Sequence, residues 1–496
     1  MTIIKFGEYQ PDGAPVANGA ALAVANNIYP RATGEYGPIN ALAAYTGAIG
    51  SRAMGAITVT DSTFAASNFA GDTSALYKIS DATWGNITHS AGPYTTGTTG
   101  RWEFAQYGNR VIATNYADAV QTYLLGSSVV CADITAAPKA KAIGNIGNFI
   151  VLGNIVDPTD GAKPTRVHWS AVDGPTDWPP AGGSTAQAVQ SDFQDLPTGT
   201  GVQRIIGAVG GADGTVFLET AIYRVQIEGP PTFLGFYEVE RARGTPAPGS
   251  VVHIGNLAFY LGNDGFYIYD GARSAPIGAG KVDKTFFADL NQDYYDRISG
   301  IADPINNLVV WAYPSGQSTA GTPDKLILYN WTSGRWSTAG LSCEILARLA
   351  TSGYTLEQLD TFGTLDALAA GLDSRVWSGG QQFLAAFDTD HKAAQFTGAA
   401  LAATIETNEI TGDGNMVYVA GIRPIVDTDS VTVAVGHRRR QSSAVSYTTA
   451  TAIGDDDACP QHIEARMVRA RVNIATASTW TKAVGVEPLY DTDGER

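Results

Sequence analysis

The chain is short of charge, of cysteine and of long apolar runs. Charged residues fill 16% of its 496 positions, against about 25% in an average soluble protein. Lys and Glu are too scarce for long charged helices or coiled coils. The three cysteines, Cys131, Cys343 and Cys459, lie far apart. They cannot staple a chain of this size, so no disulfide framework is expected and synthesis in a reducing compartment is. No apolar run reaches about 18 residues, which predicts no membrane span. The opening MTIIKFGEYQPDG has no basic segment followed by an apolar stretch, so no secretory leader is expected.

Reactive patterns are equally sparse. The histidines are His89, His168, His253, His391, His437 and His462, no two of them within five residues, and there is no C-x-x-C. Zinc-ligand spacing is therefore missing. Asp455-Asp456-Asp457 and Asp491-Thr492-Asp493-Gly494 lack the closing Glu and flanking helices of a calcium loop. They read as solvated acidic turns. There is no G-x-S-x-G elbow, no H-E-x-x-H and no P-loop. The Gly-rich 207–214 (GAVGGADG) lacks the strand-to-helix setting of a phosphate cradle and reads as turn glycines. No catalytic residue, cofactor or metal is expected, and the chain is read as not an enzyme. Paired carboxylates for glycoside hydrolysis stay open, because any two acids can meet in a fold.

What the sequence has in quantity is strand signal. Apolar runs of four to seven residues recur between Gly, Asp, Asn and Pro clusters: Arg110–Thr114, Phe149–Gly153, Thr215–Leu218, Ala221–Ile227, Leu257–Leu261, Gly265–Tyr269, Leu308–Tyr313 and Lys325–Trp331. Several are apolar throughout, the pattern of strands buried on both faces. Asn263-Asp264-Gly265 and Thr332-Ser333-Gly334 supply hairpin turns between them. Helical pattern is confined to Val282–Arg297 and to Thr355–Leu372, which Gly363 interrupts.

A loose unit of strand, turn, strand and a more polar third strand begins near Arg101, Lys139, Gln203, Val251 and Arg297. Spacings of about 40–60 residues match propeller blades. The expected fold is all-β: a β-propeller-like body over 51–398, preceded by an extended N-terminal arm over 1–50 and followed by a C-terminal β-rich module over 399–496. A large two-sheet sandwich with insertions is the alternative. The arm, rich in Pro, Gly, Ala and Asn, is expected to wrap a neighbour.

The balance of 32 Lys and Arg against 48 Asp and Glu gives a net charge of −16. The region 151–399 carries −11 of it. Broad phosphate neutralisation is excluded. One dense basic run interrupts the acidity, His437-Arg438-Arg439-Arg440. It is either a contact for phosphates or an acidic partner, or a solvated hairpin tip offsetting Asp427 and Asp429. A second segment, Arg166 to Trp178, sets two tryptophans around an Asp-Pro turn and reads as an aromatic corner.

The segments VHWSAVDGPTDW (167–178), GVQRIIGAVGGADGTVFLETAIYRVQIEGPPTFLGFYEVE (201–240) and HIGNLAFYLGNDGFYIYDG (253–271) resemble the tail nozzle proteins of short-tailed bacteriophages. These are also called packaged-DNA stabilisation or tail hub proteins. ARSAPIGAGKVDKTFF (272–287), KLILYNWTSGRWS (325–337) and WEFAQYGNRVIATNYADAVQ (102–121) are similar too. So are GEYQPDGAP (7–15), NNIYPRATGEYGPINAL (26–42), IRPIVD (422–427) and WTKAVGVE (480–487). The resemblance spans nearly the whole chain. Its motifs are structural, so it carries over no reactive residue. The chain departs from the family pattern in its Ala and Thr richness, as in Ala393–Thr404.

The resemblance implies a structural virion protein of the phage tail, made in the bacterial host cytoplasm. It implies a propeller-like body assembled as a ring of six copies below the portal and its adaptor ring. The ring retains packaged DNA, conducts the duplex at ejection without binding it specifically, and offers surfaces to tail fibres, spikes or a needle. Against it stand a propeller glycoside hydrolase and a receptor-binding tail protein. An acidic wall suits a conduit, because each cation on it would pair with phosphate and impede sliding.

Overall fold

The computed structural model describes residues 3–14, 21–80, 83–350, 382–411 and 416–490. Within them the chain is all-β, and its body is a propeller of seven four-stranded antiparallel blades. Blade 1 spans Gly55–Thr60 to Thr83–Asn86, blade 2 Glu103–Tyr107 to Ala132–Asp133, and blade 3 Lys139–Ile146 to Asp192–Asp195. Blade 4 spans Val202–Ile206 to Leu234–Arg241, blade 5 Val252–Ile254 to Ser274–Pro276, and blade 6 Ser299–Asp303 to Arg335–Gly340. Blade 7 takes Ile345–Ala350, Gln382–Phe387 and Lys392–Gln395, then borrows its outer strand, Ala43–Ala48, from near the N-terminus. The first strand of each blade faces the axis, and blade 7 packs against blade 1 to close the ring.

The sequence pattern explains the strands. Leu257–Leu261 and Leu308–Tyr313 are apolar throughout because each is a middle strand covered by neighbouring blades on both faces, whereas the middle strand Ala221–Ile227 carries the half-buried Arg224 and Gln226 among its apolar residues. At the Asn263-Asp264-Gly265 hairpin, Gly262 N–H reaches Gly265 O at 2.8 Å, and both oxygens of Asp264 accept from the Tyr267 hydroxyl at 2.9 Å. The expected helix over Val282–Arg297 forms as a short α-helix, Asp283–Asp289, and a 3-10 segment, Gln292–Arg297. The Thr355–Leu372 pattern lies outside the described residues.

Seven hydrophobic clusters fill the junctions between blades, one for each junction. The heaviest joins blades 5 and 6. There Phe266 lies 4.8 Å from Trp311 and 5.1 Å from Trp336 between ring centroids. Trp311 Nε1 donates to Ser250 O at 2.8 Å, so its one polar atom is satisfied.

That cluster continues into a second body, a two-sheet β-sandwich built from both ends of the chain. One sheet runs Ile28–Pro30, Tyr36–Pro38, Ala483–Tyr490, Val417–Val426, Cys459–Ala465, with Ile4–Lys5 also on Ala483–Tyr490. The other runs Leu22–Asn26, Ala403–Thr407, Met467–Ile474, Val431–Arg438. Leu22–Asn26 also bridges to the outer strand of blade 6, in parallel, at Asn26 and Thr338. The described strands within the first fifty residues thus divide between the sandwich and blade 7. The three cysteines are buried and unpaired, and burial pushes the Cys131 and Cys343 thiols up to about 12.

Candidate functional site

Residues at the starts of the inner strands meet at one mouth of the axial channel. Arg52 precedes blade 1, Arg101 and Glu103 open blade 2, and Lys141 opens blade 3. Gln203 and Arg204 open blade 4, Asp296 and Arg297 precede blade 6, and Glu344 precedes blade 7. Of these, Arg101, Glu103, Lys141, Gln203 and Asp296 line a cavity of about 440 Å³. Blades 1 to 4, 6 and 7 deliver these side chains because the innermost strand of each enters from this end.

Glu103 is the hub. Its Oε1 takes Arg101 Nε at 2.7 Å and its Oε2 takes Arg204 Nη1. Arg52 Nη2 and Arg297 Nη2 both donate to Thr98 O, at 3.1 and 3.0 Å. Lys141 Nζ donates to Gln203 Oε1 at 3.1 Å, and Gln203 passes the contact to Glu219 at 3.0 Å. The channel wall strips water from the cations. Desolvation pulls Arg52 and Arg101 down to about 10 and Arg204 to about 9, the last also through the nearby Arg101 charge. All three stay charged at neutral pH. Desolvation also raises Asp296 and Glu344. Room for Arg101 depends on Gly249, where a β-carbon would collide with the Arg101 guanidinium and the Ile298 carbonyl.

The basic run lies elsewhere, at the end of the sandwich strand Val431–Arg438. Its members have different fates. Arg438 is nearly buried: Nη2 reaches Glu409 Oε2 at 2.6 Å, and Nη1 donates to the carbonyls of Gln441 and Ser443. It pins its own turn. Glu409 also accepts Arg469 at 3.0 Å, and Glu406 accepts Arg471 at 2.6 Å and the Tyr447 hydroxyl at 2.8 Å. Arg471 lies over the Tyr447 ring at 3.7 Å. His437 is half-buried, and only Arg439 and Arg440 are exposed. Asp427 and Asp429 do not offset the run. They lie beyond the other end of the strand, roughly 20–25 Å away at strand rise, and Asp427 accepts from Thr481 and Lys482.

The remaining candidates are structural. His168 is buried between Trp178 and Phe193, and desolvation pulls it down to about 4. Arg166 beside it is held by Asp157, Asp160 and Asp195 at 2.7–3.2 Å and covers Phe193. The glycines of 207–214 make a strand-to-strand turn, with Gly210 and Gly211 at positive φ. Asp456 caps Ala458 N in an exposed turn, and 491–494 lies outside the described residues. Among the described residues no group of three or more His, Cys, Asp or Glu is placed to hold a metal ion, and no helix is long and apolar enough to cross a membrane.

Sequence reading missed the channel-mouth cluster. Its members are spread from Arg52 to Glu344, and no local motif joins them. One signal was present: the repeat units start on or beside Arg101, Lys139, Gln203 and Arg297, so charge recurs at the unit start.

The fold defines the class, a seven-bladed β-propeller fused to a β-sandwich. No family model matches the chain, and no curated protein matches it. Among solved structures, a chain of "Crystal Structure of Mitotic Checkpoint Complex" is similar at 10% identity and a TM-score of 0.38, over 72% of this chain and 94% of that one.

Proposed function

We propose that this chain is a structural subunit of a bacteriophage tail, the nozzle that continues the DNA channel below the portal and adaptor. The sequence motifs quoted above motivate the reading. The observation that carries it is the double tie made by the N-terminal strands. Ala43–Ala48 completes blade 7, and Leu22–Asn26 stitches blade 6 to the sandwich. Opening the propeller or swinging the sandwich then requires stripping strands out of packed sheets. Such a body suits a part that bears the load of a packaged genome, and it presents broad lateral faces for ring closure.

In this role the work is mechanical and electrostatic. Six subunits form the ring, and the duplex runs through the lumen between them. An acidic lumen repels the phosphates and leaves their counterions on the DNA, so no ion pairs must be broken as the duplex advances. Screening limits the repulsion to about 8–10 Å from the wall at ordinary salt. Arg439 and Arg440, exposed at the sandwich, are assigned to a partner contact rather than to DNA.

The hydrolase alternative must place its carboxylate pair in a cavity, and Glu103 and Asp296 share one. Both oxygens of Glu103 are occupied by guanidiniums, leaving neither to attack or to take a proton. We therefore assign no glycoside hydrolysis to this cavity. Native mass spectrometry of the assembled protein tests the reading. A closed hexamer of about 312 kDa is expected from the 52.0 kDa chain. A stable monomer, or a trimer with a free distal tip, overturns it.

A further inference from the structure

Each blade is a four-stranded meander, so the turns after its first and third strands lie at the end of the channel opposite the charged mouth. Exposed apolar side chains collect on that face. Among the described residues of the propeller turns, Val129 is 83% exposed, Ile305 78% and Phe64 75%, and all three lie there with Val130. The turns of the other face expose only Tyr116, at 36%. Charge is one-sided too. Among the described residues, the same turns carry Asp61, Asp173, Asp177, Asp213, Glu228 and Asp270 against Arg273 alone.

On blades 1 and 2 the apolar residues are held in place. Phe64 sits at φ 66°, a strained backbone for a bulky residue. Asp61 closes its turn: Oδ1 accepts Thr63 N at 2.8 Å, Thr63 Oγ1 at 2.6 Å and Ala65 N at 2.9 Å. Asn109, in the first turn of blade 2, joins the two blades. Its Oδ1 accepts Ser62 N at 2.9 Å, and its carbonyl accepts Leu125 N at 2.8 Å, at the root of the turn that carries Val129 and Val130. Beyond them Asp173 of blade 3 accepts the Tyr107 hydroxyl of blade 2 at 2.7 Å. Fixed apolar anchors beside carboxylates suit a basic partner.

The chain's own dense basic run meets that description, and strand register locates its exposed pair, Arg439 and Arg440. Asn26, bridged to Thr338 of blade 6, is level with Thr404, Asn473 and Thr432 across the sandwich sheet. Arg438 lies six residues on from Thr432, roughly 20 Å at strand rise. Leu22–Asn26 runs parallel to the outer strand of blade 6, so this displacement points to the start of that strand, the end at the acidic face. The pair therefore projects at the outer edge of blade 6. In a ring of seven blades, blade 6 lies across the axis from blades 2 and 3. Basic tip and acidic patch stand on opposite sides of one molecule, the arrangement that a head-to-tail contact requires.

We propose that the turn face of blades 1 to 3 is the docking surface for the Arg439–Arg440 turn of a second copy of this chain. Phe64 and Val129 supply the apolar anchors, and the surrounding carboxylates select the basic turn. The contact rests on the hexamer proposed above and names what joins its copies.

Cross-linking of the full chain with a short bismaleimide tests the proposal. The native cysteines are buried, so the reagent reads introduced thiols. Ser127→Cys and Gln441→Cys place thiols beside the patch and the tip, at exposed positions, and leave the named contact residues intact. Chains of the two variants, co-assembled, should give a linked dimer, and neither variant alone should. By sedimentation, Phe64→Ser should weaken assembly about tenfold or more, and Tyr116→Ser on the other face should leave it unchanged. Both residues are exposed, so the fold survives either change. A hexamer by native mass spectrometry whose mixed variants give no linked dimer overturns the proposal and leaves the ring standing. Linked dimers of Ser127→Cys alone, which need two turn faces to meet, overturn it as well. So does assembly of Phe64→Ser at wild-type affinity. A chain that stays monomeric overturns both the contact and the ring.

Discussion

Glu344, at the start of the last blade, accepts the backbone N–H of Ala53, at the start of the first, at 2.7 Å. The bond spans the closure of the propeller. Its other oxygen faces His391 Nδ1 at 2.5 Å. The carboxylate is buried and its pKa is raised, so ionisation at neutral pH works against the fold. A raised carboxylate pKa means the folded state holds the proton longer, and stability falls as pH rises through that window. Glu344→Gln keeps an acceptor for Ala53 and removes the charge. It should stay within about 1 kcal/mol of wild type at pH 7 by denaturant titration, whereas Glu344→Ala should lose about 2 kcal/mol.

The Arg438–Glu409 pair makes a stability prediction for the sandwich. Glu409→Ala leaves Arg438 and Arg469 without their shared partner in a nearly buried position. A loss of about 3 kcal/mol is expected, read as a lower unfolding midpoint. A change below about 0.5 kcal/mol would contradict the network described.

Arg439 and Arg440 separate folding from assembly. Because Arg438 pins its turn, replacing the whole run mixes both effects. The double change Arg439→Ser with Arg440→Ser should leave Tm within about 1 °C, in keeping with exposed sites. It should weaken assembly with a reduced salt dependence, because two screened charges are gone. Analytical ultracentrifugation across ionic strengths measures this, and assembly unchanged at every salt level returns both arginines to solvent.

His168 gives a pH signature. Burial holds it at about 4 against an unfolded value of 6.5. The unfolded chain takes up the proton first, so stability is lost as pH falls from 6.5 towards 4, by about 3 kcal/mol. His168→Phe keeps the aromatic packing on Trp178 and Phe193 and should flatten that part of the profile. The difference between wild-type and variant stability, followed from pH 7 to pH 4, should grow in the variant's favour.

The blades were legible where burial is two-sided and the turns are short. Ala221–Ile227, Leu257–Leu261 and Leu308–Tyr313 stand as read, and the units expected near Arg101, Lys139, Gln203, Val251 and Arg297 are blades 2 to 6. Blade 7 was hidden because its outer strand, Ala43–Ala48, is a mostly exposed Ala- and Gly-containing segment that pairs with Lys392–Gln395. Pairing across about 350 residues leaves no local mark. The same holds for Leu22–Asn26 between Thr338 and Ala403–Thr407. The basic run was visible, but the buried use of Arg438 was not, since Glu409 reaches it only through sheet register. The channel cations become a set only once the blades are arranged around an axis.

Cryo-electron microscopy of the assembled tail measures the central claim most directly. The account predicts six copies of this chain in a closed ring below the portal and adaptor. Their lumen-facing residues should show a clear excess of Asp and Glu over Lys and Arg, drawn mostly from the acidic region 151–399. A lumen lined chiefly by Lys and Arg, or a tail in which this chain forms no ring around the DNA path, would contradict it.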